Sequence, residues 1–148
     1  GPTENPLISR MTIVINVEGH PLEQVIRQLD KLVNVIHIAE VVDNKSVQAE
    51  LLMVKISATP KNRFDVEAVV ETYEAKIVDE DATSITIEAT GDTAKIADLL
   101  SALERFGIRE LVQSGLIALE RGSVTLSERT LSTSGIPIAN GVQADYQN

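Results

Sequence analysis

Cysteine is absent from this chain, which excludes disulfides, thiolate metal sites, iron-sulfur clusters and cysteine nucleophiles, and allows an intracellular setting. Aromatic residues make up only 3% of the sequence, so few rings are available on which nucleic-acid bases could stack. Positive charge is also scarce: 13 Lys and Arg stand against 22 Asp and Glu, and the net charge of -9 repels a phosphate backbone. No apolar run approaches the ~20 residues that a membrane-spanning helix needs, and the opening stretch GPTENPLISR lacks the charged and apolar regions of a signal peptide. The glycines are scattered, so no loop gathers the backbone N–H groups that would cradle a phosphate.

What is present is a globular composition, 43% hydrophobic over 148 residues, enough for one ordinary domain or two small ones. Met11, Ile13 and Ile15 alternate with Thr12, Val14 and Asn16, the period of a strand. Pro21 is placed to open a helix, with Leu22, Val25, Ile26, Leu29 and Leu32 on one face. Asn34 suits a left-handed cap at its end, and the β-branched stretch VIHIAEVV predicts a second strand.

A displacement of 74 positions lays this pattern onto a later one. Met11 and Ile13 fall on Ile85 and Ile87, and the helical apolar positions fall on Ile96, Leu99, Leu100, Leu103 and Phe106. Asn34 answers Gly107 with the register one residue short. The match predicts one supersecondary unit used twice.

Upstream of the later copy, Glu50–Ala58 reads as a strand, and a helix follows that buries Val66, Val69, Val70 and Tyr73. A hairpin through Asp79, Glu80 and Asp81 then joins two further strands. Residues 50–119 therefore spell βαββαβ, the ferredoxin-like order of four antiparallel strands with two helices on one face. The expected fold class is α+β with two such domains, the N-terminal one lacking its first strand and helix in this chain. A full first copy would need roughly two dozen more residues before Ser9, given the length of a crossover. The expected divisions are a partial domain over 1–44, a ferredoxin-like domain over 45–122 and a flexible tail over 123–148. Within them, 43–47 reads as a linker.

Chemistry is harder to find. The two histidines, His20 in a turn and His37 in a strand, lack carboxylate partners at ligand spacing, so structural roles are favoured over a metal site. No serine or threonine has an evident base. Asp79, Glu80 and Asp81 could gather a divalent cation, but a solvated hairpin is the simpler reading. Arg109 and Glu110 would pair across the sheet or face a partner. A protein of this kind is better suited to holding a ligand or partner than to making bonds.

The segments GPTENPLISRMTIVI, LEQVIRQLDKLVNVIHIAEV, ELLMVKISA and GIRELVQSGLIALERG, in that order, resemble the small regulatory subunit of acetolactate synthase, also called acetohydroxyacid synthase, from Gly1 to about Gly122. The resemblance implies an N-terminal ACT domain, an amino-acid-sensing βαββαβ unit. It also implies a cytoplasmic protein without a catalytic centre, metal or cofactor of its own, which self-associates and activates a separate catalytic subunit. That partner would carry thiamine diphosphate, magnesium and FAD, and feedback by valine or another branched-chain amino acid would act through the small subunit. The family's effector loop would precede Gly1, so no effector residue can be assigned. Gly1–Asn5 fall at the end of the family's second strand, which makes Pro2, Thr3 and Glu4 candidate interface residues beside Arg109 and Glu110. Competing readings are a hydrolase of acylphosphatase type, for which no phosphate loop is found, a stand-alone amino-acid sensor, and an RNA-binding module, which charge and aromatic content oppose.

Overall fold

Helix α1 (Leu22–Asp30) is the first regular element of the computed structural model, which describes residues 1–16, 18, 19, 21–126 and 128. The chain divides into two units, one of Gly1–Val14 with Val47–Leu119 and one of Ile15–Ser46 with Glu120–Asn148.

In the first unit the sheet is built on β1 (Ser46–Ser57), whose alternate residues Leu52, Val54 and Ile56 are buried. Helix α2 (Arg63–Thr72) follows and leads to β2 (Lys76–Glu80) and β3 (Ser84–Gly91). Helix α3 (Thr93–Glu104) then leads to β4 (Ile108–Gln113) and β5 (Ile117–Glu120). The strand order is β2-β3-β1-β4, with β5 also on β1, and the three pairings along that order are antiparallel. This is the ferredoxin-like order expected from the sequence.

Both helices lie on one face. Val66 and Val70 of α2 and Ile96, Leu99 and Leu103 of α3 join Leu52, Val54, Ile56, Ile85, Ile87 and Ala89 of the sheet in one buried cluster. Burying residues of this size stabilises by about 1.5–3 kcal/mol each relative to exposure, so this cluster is what holds the unit. Val69 and Tyr73 pack at its margin, as their spacing predicts.

Local chemistry sets the ends of these elements. Asp92 caps α3 by accepting a hydrogen bond from the Lys95 backbone N–H at 2.9 Å. At its other end the N–H of Gly107 donates to the Glu104 carbonyl at 3.0 Å, and Gly107 takes φ +85, a conformation open to glycine at no steric cost. Glu74, between α2 and β2, is the one non-glycine residue with positive φ among the described residues, at 52°. No apolar periodicity marks that position.

The second unit differs from expectation. α1 forms, but none of its residues is buried. It ends at Asp30 with Lys31 as cap in right-handed geometry, and Asn34 is not left-handed. Leu32 and Val35 instead make successive turn bonds, from Leu32 N–H to Leu29 O at 3.1 Å and from Val35 N–H to Leu32 O at 3.0 Å. Neither Met11–Ile15 nor Val35–Val42 is a strand. The reason is physical: a strand exists only by pairing its backbone groups, and among the described residues these segments meet no partner strand. Beyond them, Asp43–Lys45 forms a single 3₁₀ turn, and β1 begins at Ser46, inside the stretch that reads as a linker.

Candidate functional site

The candidate interface residues fall at two places within the first unit. Pro2 forms an isolated bridge with Ser9, and the N-terminal ammonium donates to the Arg10 carbonyl at 2.6 Å, which folds residues 1–10 into a loop. Thr3 closes that loop from within. Its hydroxyl donates toward the carbonyls of Asn5 and Ile8, both at 2.9 Å, and accepts the Asn5 N–H at 3.2 Å. Pro2 and Glu4 are exposed. The loop is tied to the sheet by Arg10, whose guanidinium donates to the Ala118 carbonyl on β5 at 2.9 Å. Arg10 carried no signal in the sequence, because its partner lies 108 residues away.

Arg109 and Glu110 stand on β4, all six residues of which are exposed. Glu110 lies opposite Lys55 of β1, with Nζ 3.9 Å from its carboxylate. Arg109 occupies a register irregularity: Glu110 pairs with Lys55 and Ile108 with Ile56, so Arg109 is the extra residue of a β-bulge. The bulge is why adjacent charges, one pairing inward across the strands and one left over, can sit side by side on an edge strand. β-bulges and charged side chains also guard edges against uncontrolled pairing.

The acidic hairpin resolves as a structural turn. The Asp81 carboxylate accepts the Thr83 N–H at 2.7 Å, the Thr83 hydroxyl at 3.1 Å and the Ser84 N–H at 2.8 Å. The Thr83 N–H, then its hydroxyl, then the Ser84 N–H hold the carboxyl below the usual aspartate range. Glu80 receives Arg63 of α2 at 2.7 Å. No group of three or more metal-ligating side chains occurs among the described residues. His20 lies outside the described residues. His37 is half-buried, and its Nδ1 has no hydrogen-bond partner.

The tail expected over 123–148 lies almost wholly outside the described residues. At its start, the Thr125 N–H donates to the Glu128 carboxylate at 2.7 Å and the Glu128 N–H to the Thr125 hydroxyl at 3.2 Å. This is a reciprocal capping box, and Thr-x-x-Glu is its sequence signature. The Thr125 N–H, then its hydroxyl, hold Glu128 below the usual glutamate range.

The geometry defines a ferredoxin-like α+β module whose candidate groups lie on an edge strand and an adjoining loop. Comparison with known proteins gives the family. Residues 49–122 match the family model described as small subunit of acetolactate synthase, and residues 1–37 match the AHAS small subunit-like ACT domain. The chain is 47% identical over 122 residues to the acetolactate synthase small subunits of Mycobacterium leprae and Mycolicibacterium smegmatis, covering 82% of this chain and 72% of each relative. The Bacillus subtilis acetolactate synthase small subunit is 34% identical over 124 residues, 83% of this chain and 72% of the relative. The chain therefore belongs to the acetolactate synthase small subunit family. The crystal structure of the Thermotoga maritima small subunit superposes with a TM-score of 0.63 at 25% identity, over 70% of this chain and 65% of that one. No helix among the described residues is long and apolar enough to cross a membrane.

Proposed function

We propose that this chain is the regulatory subunit of an acetolactate synthase, binding the catalytic subunit, raising its turnover and conveying feedback inhibition by valine or another branched-chain amino acid. The observation that carries the reading is the order of the two family matches, an ACT domain over 1–37 followed by the small-subunit domain over 49–122. In this reading the domains divide as 1–44 and 45–122, with 123–148 as an appended tail, and the protein works in the cytoplasm. Thiamine diphosphate, magnesium and FAD belong to the catalytic partner, and the chemistry of condensing pyruvate is the partner's as well. This chain holds no catalytic centre. It acts by favouring one state of the complex over another, and an effector can do so only by binding the two states with different affinity.

Pro2, Thr3, Glu4, Arg109 and Glu110 are the proposed contacts, and their placement on a tethered loop and an exposed edge strand supports that role. The test is to add the purified chain to its cofactor-loaded catalytic subunit and follow acetolactate formation, then titrate valine, leucine and isoleucine. A several-fold rise reversed by one of them is expected. No rise at saturating chain overturns the reading.

A further inference from the structure

β4 and β5 form one edge of the sheet. The carbonyls of Leu51 on β1 and of Lys45 just before it are an even number of residues apart, so they point the same way. Leu51 accepts the Ser114 N–H at 2.9 Å and Lys45 the Arg121 N–H at 2.8 Å. Ser114 follows β4 and Arg121 follows β5, so β5 continues β4 along the same side of β1. In that register Leu119 turns its backbone groups toward β1, and Ala118 turns its N–H and carbonyl outward. A carbonyl on a covered edge needs a donor, and Ala118 is only 6% exposed. Arg10 supplies one, with Nη2 2.9 Å from the Ala118 oxygen.

The same residue closes the loop that it anchors. The Arg10 N–H donates to the Gly1 carbonyl at 2.8 Å, next to the Pro2–Ser9 bridge. Thr3 spans the interior, so the loop holds its own shape. Its place on the sheet depends on one side chain: among the described residues, Arg10 to Ala118 is the one hydrogen bond from residues 1–14 to the strands. Arg10 has no carboxylate within ion-pair distance among those residues, which leaves the guanidinium committed to the carbonyl, and a charged donor makes such a bond strong. In this register Ala118 stands opposite Gln48, while Glu110 stands opposite Lys55 further along β1. At ~3.3 Å per residue the two points are roughly 23 Å apart. An interface of ~800 Å² per partner is about 30 Å across, so it reaches both.

We infer that Arg10 is the positioning residue of this edge: its bond to β5 sets Pro2, Thr3 and Glu4 of the loop at a fixed spacing from Arg109 and Glu110 of β4, so that one surface of the catalytic subunit meets both groups at once. The inference rests on the proposed function, because it takes those five residues as contacts. Two contact groups on one rigid frame engage together, and the second binds without further loss of freedom. A loop released from β5 keeps its shape but not its place, and its ordering must then be met at the moment of binding, which weakens association. Arg10 itself touches no partner in this reading. It acts through the loop, and its effect falls on how tightly the catalytic subunit is held rather than on how fast the assembled complex turns over.

The test titrates the cofactor-loaded catalytic subunit with the parent chain, Arg10→Gln and Arg10→Lys, and follows acetolactate formation. Arg10→Gln should raise the concentration for half-maximal activation roughly tenfold or more, the weight of a hydrogen bond from a charged donor, while turnover at saturation stays that of the parent. Arg10→Lys, whose ammonium can donate to the same carbonyl, should recover part of the shift. Lys76→Gln removes the same charge at an exposed site on β2, the opposite edge of the sheet, and should not move it. Far-UV circular dichroism checks that each variant folds. Because the chain has no cysteine, spin labels at Leu7→Cys and Val112→Cys, both exposed, read the loop-to-strand distance without the partner, in labelled chain diluted with unlabelled. One narrow distribution is expected with Arg10 in place and a broad one with Arg10→Gln. Distributions equally narrow or equally broad overturn the inference. So does an unchanged half-activation in Arg10→Gln, a plateau that falls while half-activation stays, or an equal shift in Lys76→Gln. A parent that raises no turnover overturns the proposed function and this inference with it, whereas every other failure strikes the inference alone.

Discussion

Arg63, on the first turn of α2, holds Glu80 at the end of β2 with a guanidinium–carboxylate distance of 2.7 Å. A second nitrogen of the same guanidinium donates to the Asp81 carbonyl. One side chain therefore ties a helix start to a hairpin that carries three acidic residues. Because the Glu80 side chain is 57% exposed, the ion pair alone is worth little, and a double-mutant cycle of Arg63→Ala with Glu80→Gln should give a coupling below about 1 kcal/mol. It should shrink further at high salt. Arg63→Ala by itself should cost more than Glu80→Gln, since it also leaves the Asp81 carbonyl without that donor. Urea unfolding of the three variants checks both statements.

Acid should loosen the same hairpin. Asp81 is held below its ordinary value by bonds from Thr83 and Ser84, so its ionised form is the one the fold favours. A carboxyl with a depressed folded value contributes stability above its unfolded value, near pH 4, and loses it as pH falls through the lower folded value. Glu128, held down by Thr125, acts in the same direction. Asp81→Ala should therefore lower the melting temperature at pH 7 and flatten its fall below about pH 4. Asp81→Asn keeps one acceptor oxygen and should lie between the two. An acid limb as steep in Asp81→Ala as in the parent would contradict this.

Gly107 illustrates a backbone requirement without a packing one. At φ +85 an added Cβ would meet the Ser57 hydroxyl at 3.7 Å, an ordinary contact. The cost of Gly107→Ala is then conformational, about 1–2 kcal/mol. The Gly107 carbonyl also accepts the Ser57 N–H at 2.9 Å, joining the end of α3 to the end of β1. Gly107→Asn, which tolerates the left-handed region better, should recover part of the loss in equilibrium denaturation.

Residues 50–113 were legible because their signals are local and agree with one another, whereas the start of β1 at Ser46 and the separate strand β5 were not. Val66 and Val70 recur at helical spacing, Leu52, Val54 and Ile56 alternate, and both patterns end in one buried cluster. The acidic turn and Gly107 carry their own turn chemistry. What could not be read depends on distant partners. Arg10 meets Ala118, and Lys55 meets Glu110, only after the sheet has formed. The bulges at Arg109 and Val78 come from strand register, to which a single strand's pattern is blind. The strands expected at Met11–Ile15 and Val35–Val42 fail for the opposite reason: their alternation is sound, but alternation states only which face would be buried if a neighbouring strand were present.

The internal repeat can be tested on that distinction. α1 and α3 end at equivalent positions, Asp30 and Glu104, so the helical half of the repeat is real in the backbone. The environments part company beyond it. Leu103 and Ile87 are fully buried, whereas Leu29 is half-buried and Ile13 is 54% exposed. Deleting side-chain volume is costly only where neighbours are packed around it, through lost transfer energy and the cavity left behind. Leu103→Ala should therefore destabilise this chain by about 2–5 kcal/mol. Leu29→Ala, at the matching position, should cost well under half as much, because water already reaches the side chain and no cavity forms. Chemical denaturation of both variants at equal ionic strength decides the matter. Equal losses would mean that the apolar face of α1 is packed in solution as fully as that of α3, and the two halves of the repeat would then be equivalent in energy as well as in sequence.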